Sequence, residues 1–278
     1  MAGLLYETHS HTPLCRHAVG QPEEYAAMAE KRGLCGIIFT CHNAMPDEFS
    51  SGVRMRVDEF EEYLDMVART RDRWAGRVDV RLGLEADYFA GYESWLETQL
   101  TSADFHYVLG SIHPQIAEYR QRYCRNEAVE VQRTYFQLLA DAAETGLFDA
   151  MAHPDLIKNE TPNDWRPTRI MDDIRGMLDR IAATGVAMEL NTSGANKIIP
   201  EMNPFPEMLT EIANREIAVV VGADAHEPTR VGDRFESALD VLEECEFTHV
   251  SYFVDRVRHD VKIKDARGSL QNLDTNEL

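Results

Sequence analysis

Short apolar runs alternate with longer amphipathic stretches along almost the whole chain. Seven of these runs read as strands: Leu4–Thr8, Gly36–Thr40, Val80–Leu84, Tyr107–Ser111, Ala150–Ala152, Ala187–Leu190 and Ala218–Gly222. Each is apolar or β-branched and bounded by polar, Gly or Pro positions, as strands buried on both faces are. Helical periodicity predicts helices over 22–32, 58–74, 126–145, 168–184, 203–215 and 230–244. The first opens on Pro-Glu-Glu and stops before Gly33, which suits a first turn and a C-terminal stop. The second carries Phe60, Leu64 and Val67 on one face, with acids early and arginines late to complement the helix dipole. Strands alternating with helices imply a mostly parallel sheet.

The polar residues at the strand ends sharpen this picture. His9, His11 and His17 follow strand one and His42 strand two; Glu85 and Asp87 follow strand three. His113 follows strand four, His153 strand five, Asn191-Thr192-Ser193-Gly194 strand six, and Asp224 and His226 strand seven. Of the 10 histidines, only His106, His249 and His259 lie elsewhere. Groups converging from the carboxyl ends of many strands favour a closed barrel over an open doubly wound sheet. The expected fold is therefore an α/β single domain, a distorted seven-stranded (β/α)7 TIM-like barrel over 1–266, with a polar tail over 267–278.

Residues i and i+2 of an extended segment face the same way, so His9 with His11, and Asp224 with His226, can each offer two donors to one site. Imidazole with carboxylate suits zinc, iron or manganese, and a carboxylate can bridge two ions. Taken singly, an HxH pair, a His-Pro turn or a capping aspartate has an ordinary structural explanation. Such explanations do not predict seven coincidences at the same end of seven strands. Glu85 is harder still to explain that way, since a buried carboxylate needs a partner.

Composition narrows the function classes. The net charge of −20 opposes a phosphate backbone and argues against a nucleic-acid polymer as partner. It leaves room for a small phosphorylated substrate, because bound cations can invert the potential inside a pocket. No apolar stretch approaches a membrane span and no signal peptide is visible, so a cytoplasmic protein is expected. The 5 cysteines form no CxxC pair, which fits reduced thiols rather than a disulfide framework.

The stretches His9-Ser10-His11-Thr12-Pro13-Leu14-Cys15-Arg16-His17, Phe39-Thr40-Cys41-His42 and Gly83-Leu84-Glu85 resemble motifs of the polymerase and histidinol phosphatase (PHP) family. So do Gly110-Ser111-Ile112-His113, Phe148 to His153, Asn191 to Gly194 and Gly222 to His226. The likeness runs over about residues 4 to 258 and leans toward the branch of histidinol-phosphate phosphatases. It implies three divalent ions (zinc, iron or manganese): one held by His9, His11, Glu85 and Asp224, one by Glu85, His113 and His153, and one by His17, His42 and His226. Two departures stand out. Cys41 replaces the acidic residue usual before His42, and residues 114–120 lack the family's tryptophan- and aspartate-bearing stretch.

The activity so implied is hydrolysis of a small phosphomonoester, such as L-histidinol phosphate, by a metal-bridging hydroxide, with Asp224 or His226 shuttling the proton. A nucleotide phosphoesterase or nuclease using the same ions, and a non-catalytic metal-binding module, are the alternatives. Lys158 and Lys197 read either as phosphate clamps or as solvated surface charges, with Arg54, Arg56 and Arg120 as further cations. Thr192 and Ser193 read as hydroxyl donors to substrate or as turn formers. Asp87 reads as an acceptor orienting a histidine or as a paired acid.

Overall fold

The computed structural model describes residues 3–271. Its sheet has strands in sequential order: β1 (Tyr6–Ser10), β2 (Gly36–Phe39), β3 (Asp79–Asp87), β4 (Tyr107–Ser111), β5 (Ala150–Met151), β6 (Ala187–Asn191), β7 (Val219–Gly222), β8 (His249–Val254) and β9 (Val257–Lys262). Neighbours from β1 to β8 pair in parallel, and β9 returns antiparallel to β8. The expected seven strands are thus all present, joined by two more. The β8–β9 pair escaped notice because His249-Val250-Ser251-Tyr252 mixes polar and apolar residues too closely to read as a buried strand.

The connections are α1 (Pro22–Lys31), α2 (Phe60–Trp74), α3 (Glu93–Leu100), α4 (Ala117–Tyr123), α5 (Ala128–Glu144), α6 (Met171–Ala182), α7 (Pro206–Ala213), α8 (Phe235–Glu244) and α9 (Ile263–Ser269). The six expected helices correspond to α1, α2 and α5 to α8, mostly with trimmed ends. The short α3, α4 and α9 were not foreseen. Helix α9 crosses the point where the polar tail was expected to begin; residues 272–278 of that tail lie outside the described residues.

Two cores follow from this layout. The larger fills the space between helices and sheet. The smaller is built from strand side chains and their immediate flanks: Tyr6, Ile38, Leu109, Ala150, Ala187, Val220 and Phe253 meet on the inner face of the sheet. That face therefore curls around its own side chains. At the opposite end the segment after β7 reaches β1, where His11 N donates to Ala225 O (2.9 Å) and Ala225 N to His9 O (3.0 Å). This contact is one bridge, Ser10 with Ala225, rather than a paired strand. It brings the carboxyl ends of β1 and β7 side by side at the mouth.

Candidate metal centre

The mouth gathers all nine expected donors. His9 lies within β1 and Glu85 within β3, whose ladder with β4 continues to Asp87 opposite Ser111. These carboxylates are inside the strand rather than after it. His11, His113, His153 and Asp224 sit just past the ends of β1, β4, β5 and β7. His153 (φ 26°) and Asp224 (φ 51°) adopt the left-handed backbone region that residues with a Cβ avoid. Such positions cost roughly 1–3 kcal/mol and persist where neighbours over-determine them. Here His153 N donates to Glu189 Oε2 (2.8 Å), and Tyr135 OH donates to His153 O (3.2 Å). Asp224 is held between Ala223, whose N–H donates to Glu7 Oε1 (2.9 Å), and Ala225, which is bonded to the backbone of His9 and His11.

Glu85 is the hub. Its Oε1 lies 3.1 Å from His153 Nε2 and 3.3 Å from His113 Nε2. Its Oε2 lies 2.7 Å from His42 Nδ1, 3.4 Å from His9 Nε2 and 3.6 Å from His11 Nε2. Asp224 Oδ1 lies 3.1 Å from His11 Nε2 and 3.5 Å from His9 Nε2. Several overlapping sets have ligating atoms mutually within 4.8 Å: His9, His11 and Glu85; His9, His153 and Asp224; His42, Glu85 and His113; His17, His42 and His226. A further set, His11, Cys15 and His226, adds a thiol that sequence reasoning did not single out.

Outer partners orient these rings. His9 Nδ1 donates to Glu189 Oε1 (2.7 Å) and His113 Nδ1 to Asp87 Oδ1 (2.6 Å). The Nδ1 atoms of His17 and His226 donate to the carbonyls of Cys15 (2.7 Å) and Asp224 (3.0 Å). Each bond leaves an Nε2 lone pair for the centre, the arrangement metal-binding histidines use. The buried atoms His9 Nε2, His226 Nε2, His42 Nδ1 and Glu85 Oε2 make no hydrogen bond. The last two lie close together but are not aligned to bond each other. Buried polar atoms are almost always satisfied, so orphans converging from four segments fit a cation cradle.

Electrostatics agree. Burial would raise the Glu85 and Asp224 carboxyls, but the surrounding imidazoles hold both well below the usual range. Burial keeps His42 at about 4 and His226 at about 2, both neutral. It also works against charging His113, yet Asp87 and Glu85 raise that ring to about 10. Protons thus sit among the carboxylates where a cation would displace them.

The cations fall differently from expectation. Lys158 is fully buried, its Nζ 2.9 Å from Asp155 Oδ2, 3.2 Å from Glu201 Oε1 and donating to Met202 O at 3.0 Å. Its three donors are spent, so it is a structural cation rather than the clamp its position suggested. Lys158→Met should accordingly destabilise the fold by about 3–5 kcal/mol, since it strands a buried carboxylate, as read by denaturant unfolding. Arg54 is also buried, donating to Asp87 Oδ2 (2.5 Å) and Asn43 O (3.0 Å). Arg56 pairs with Asp58 and Glu59, and Arg120 with Glu160. Lys197 remains at the mouth, partly exposed, its Nζ 3.9 Å from Asp224 Oδ2.

Thr192 donates its hydroxyl to Asp233 O (2.8 Å). Ser193 Oγ lies 2.8 Å from Asn191 Oδ1 and 3.0 Å from Asp224 Oδ2, so it steadies a donor of the centre. Asp87 takes the orienting role, accepting from His113, Ser111 and Arg54. Glu189 and Glu7 were missed. Both are fully buried carboxylates within strands, a signal equal to the one that drew attention to Glu85. Gly222 makes room for this layer: a Cβ there would lie 2.6 Å from His9 Cβ and collide with Glu189 Oε1.

Comparison with known proteins places this geometry. The model of the PHP domain matches residues 7–193. The chain belongs to the PHP domain family. Among curated relatives, "Probable histidinol-phosphatase" of Deinococcus radiodurans is 39% identical over 249 residues, covering 86% of this chain and 92% of the relative. "Histidinol-phosphatase" of Bacillus subtilis is 24% identical, covering 84% and 97%. Among solved structures, the histidinol phosphate phosphatase of Lactococcus lactis, complexed with zinc, L-histidinol and phosphate, superposes with a TM-score of 0.78 at 17% identity. It covers 92% of this chain and 98% of that one, so the fold shared with that structure extends over nearly the whole molecule.

Proposed function

We propose that the protein is a metal-dependent phosphoric monoester hydrolase acting on L-histidinol phosphate. The observation that carries the metal site is Glu85, which turns one oxygen to His113 and His153 and the other to His9, His11 and His42. In this reading one ion takes His9, His11, Glu85 and Asp224, a second Glu85, His113 and His153, and a third His17, His42 and His226. Divalent ions bound there lower the pKa of water toward about 7 and offset charge on phosphoryl oxygens. The substrate class rests on kinship with histidinol phosphatases over most of the chain.

The chain's own groups then have distinct work. In this reading Asp224, steadied by Ser193 and beside Lys197, takes the proton from the attacking water and returns it to the departing alkoxide. His226, the other residue expected in that role, has Nδ1 tied to Asp224 O and Nε2 committed to the third ion, so the shuttle falls to Asp224. Lys197 supplies the phosphate clamp; Lys158 takes no part in it. Lys197→Met should raise KM or lower kcat/KM about tenfold, the scale of one charge-assisted hydrogen bond, while metal content holds. Loss of metal in that variant would give Lys197 a structural role instead.

The negative surface and the small pocket beside the centre favour a small-molecule substrate over a polymer. Among the described residues no helix is long and apolar enough to cross a membrane. Two assays on metal-quantified protein test the reading: phosphate release from L-histidinol phosphate and nucleoside monophosphates, and strand cleavage of a single-stranded oligonucleotide read on a gel. Phosphate release from L-histidinol phosphate well above that from the nucleotides, with the oligonucleotide intact, is expected; strand cleavage without phosphate release from the monoesters would make the protein a nuclease.

A further inference from the structure

A cavity of about 470 Å³ opens directly on His17, His42 and His113. It falls in the size range of small-molecule sites. One wall is the loop 48–54, the other the segment 113–118. Among the lining residues Arg54 is the sole lysine or arginine, and its charge is committed to Asp87. Two carboxylates face it. Glu118 is occupied, accepting from Ser50 N (2.8 Å) and Ser50 Oγ (2.7 Å), so it fastens the loop to α4. Among the described residues the Glu48 carboxylate has neither a hydrogen bond nor an ion pair, and the residue is exposed at the cavity; the cation near enough to feel its charge, Arg56, is paired with Asp58 and Glu59.

The loop is built to a fixed shape. Asp47, Glu48 and Ser50 all have positive φ (58°, 56° and 49°), and three such residues in four persist only where the loop is held, as Glu118 holds Ser50. Deeper in, the floor includes His42, 8% exposed, whose buried Nδ1 lies 2.7 Å from Glu85 Oε2 in the metal centre. The cavity therefore runs from the edge of the metal centre to a rim that bears an unpaired carboxylate. Lys197 and Asp224 are not among its lining residues, which separates a phosphate side of the centre from an acidic side.

We infer that this cavity receives the alcohol half of the substrate and that Glu48 pairs there with an ammonium group, selecting phosphomonoesters of cationic amino alcohols. The inference rests on the phosphatase reading above and adds a residue that sets specificity. A second anionic group on the alcohol half would meet Glu48 and Glu118 and be repelled. A neutral alcohol would leave Glu48 without a partner.

The test compares L-histidinol phosphate with its deaminated analogue, 3-(imidazol-4-yl)propyl phosphate, at pH 7.5 on the metal-loaded enzyme and on Glu48→Gln. For the wild-type protein kcat/KM should favour the amine-bearing substrate by about tenfold or more, and in Glu48→Gln that ratio should fall toward one. Because the ratio is internal to each protein, altered folding or metal content does not mimic the effect. Equal turnover of both esters by the wild type overturns the ammonium subsite and leaves the phosphatase reading standing. A large ratio that survives in Glu48→Gln overturns the role of Glu48. No phosphate release from either ester removes the phosphatase reading, and the subsite with it.

Discussion

Glu85→Gln is expected to lower phosphatase turnover by at least about a hundredfold and to reduce the bound metal. Replacing an outer partner of a metal ligand typically costs about 10–100-fold, and Glu85 touches five imidazoles directly. Glutamine keeps the volume, but its amide nitrogen has no free lone pair to offer a cation. Only one of its two termini can then serve as a donor, so it cannot bridge two ions. Phosphate release and metal analysis on the same purified protein check this. Undiminished turnover in Glu85→Gln would remove the bridging role. Stripping the ions from the wild-type protein should lower its Tm as well, because ligands that bind only the folded state add their binding free energy to stability.

The second large effect falls on stability. Glu189 is fully buried and accepts from His9 Nδ1, His153 N (2.8 Å) and Asn191 Nδ2 (3.0 Å). Glu189→Ala leaves those donors without a partner, at about 1–3 kcal/mol for each buried group left unsatisfied. A total loss of about 4 kcal/mol would lower Tm by roughly 10 °C for a chain of this size. It would also free His9 to rotate and let His153 relax from its left-handed backbone, so metal affinity should fall together with Tm. A variant as stable as wild type would mean that water replaces the carboxylate, and the proposed support for His9 would be lost.

These two residues show what the chain reveals and what it conceals. Glu85 was legible because it follows Gly83-Leu84 at the end of an apolar run, where a carboxylate has no ordinary reason to be. The histidines were legible for a similar reason: they recur at the same end of successive strands, and that end is where such folds bring side chains together. Glu189 carries the same signal but lies mid-strand, between Met188 and Leu190, and was passed over. Lys158 misled because position after His153 says where the backbone goes and not where a four-carbon side chain ends. Its partner Glu201 is far along the chain and on another segment. Arg54 is likewise tied to Asp87 across 33 residues, a pairing no local pattern announces.

Strand β9 has a consequence for how molecules meet one another. Among the described residues it is the terminal strand of the sheet, and no strand there pairs with its outer amides and carbonyls. A bare edge of that kind invites a second chain to add on and polymerise. Here nearly all of Val257–Lys262 is exposed, and Arg258, Asp260 and Lys262 alternate along it. A flat copy laid alongside would crowd ionic side chains against their own kind and strip them of water. The rim is thereby blunted, and concentrated solutions gain protection from ribbon-like aggregation at the place where the architecture is most open to it.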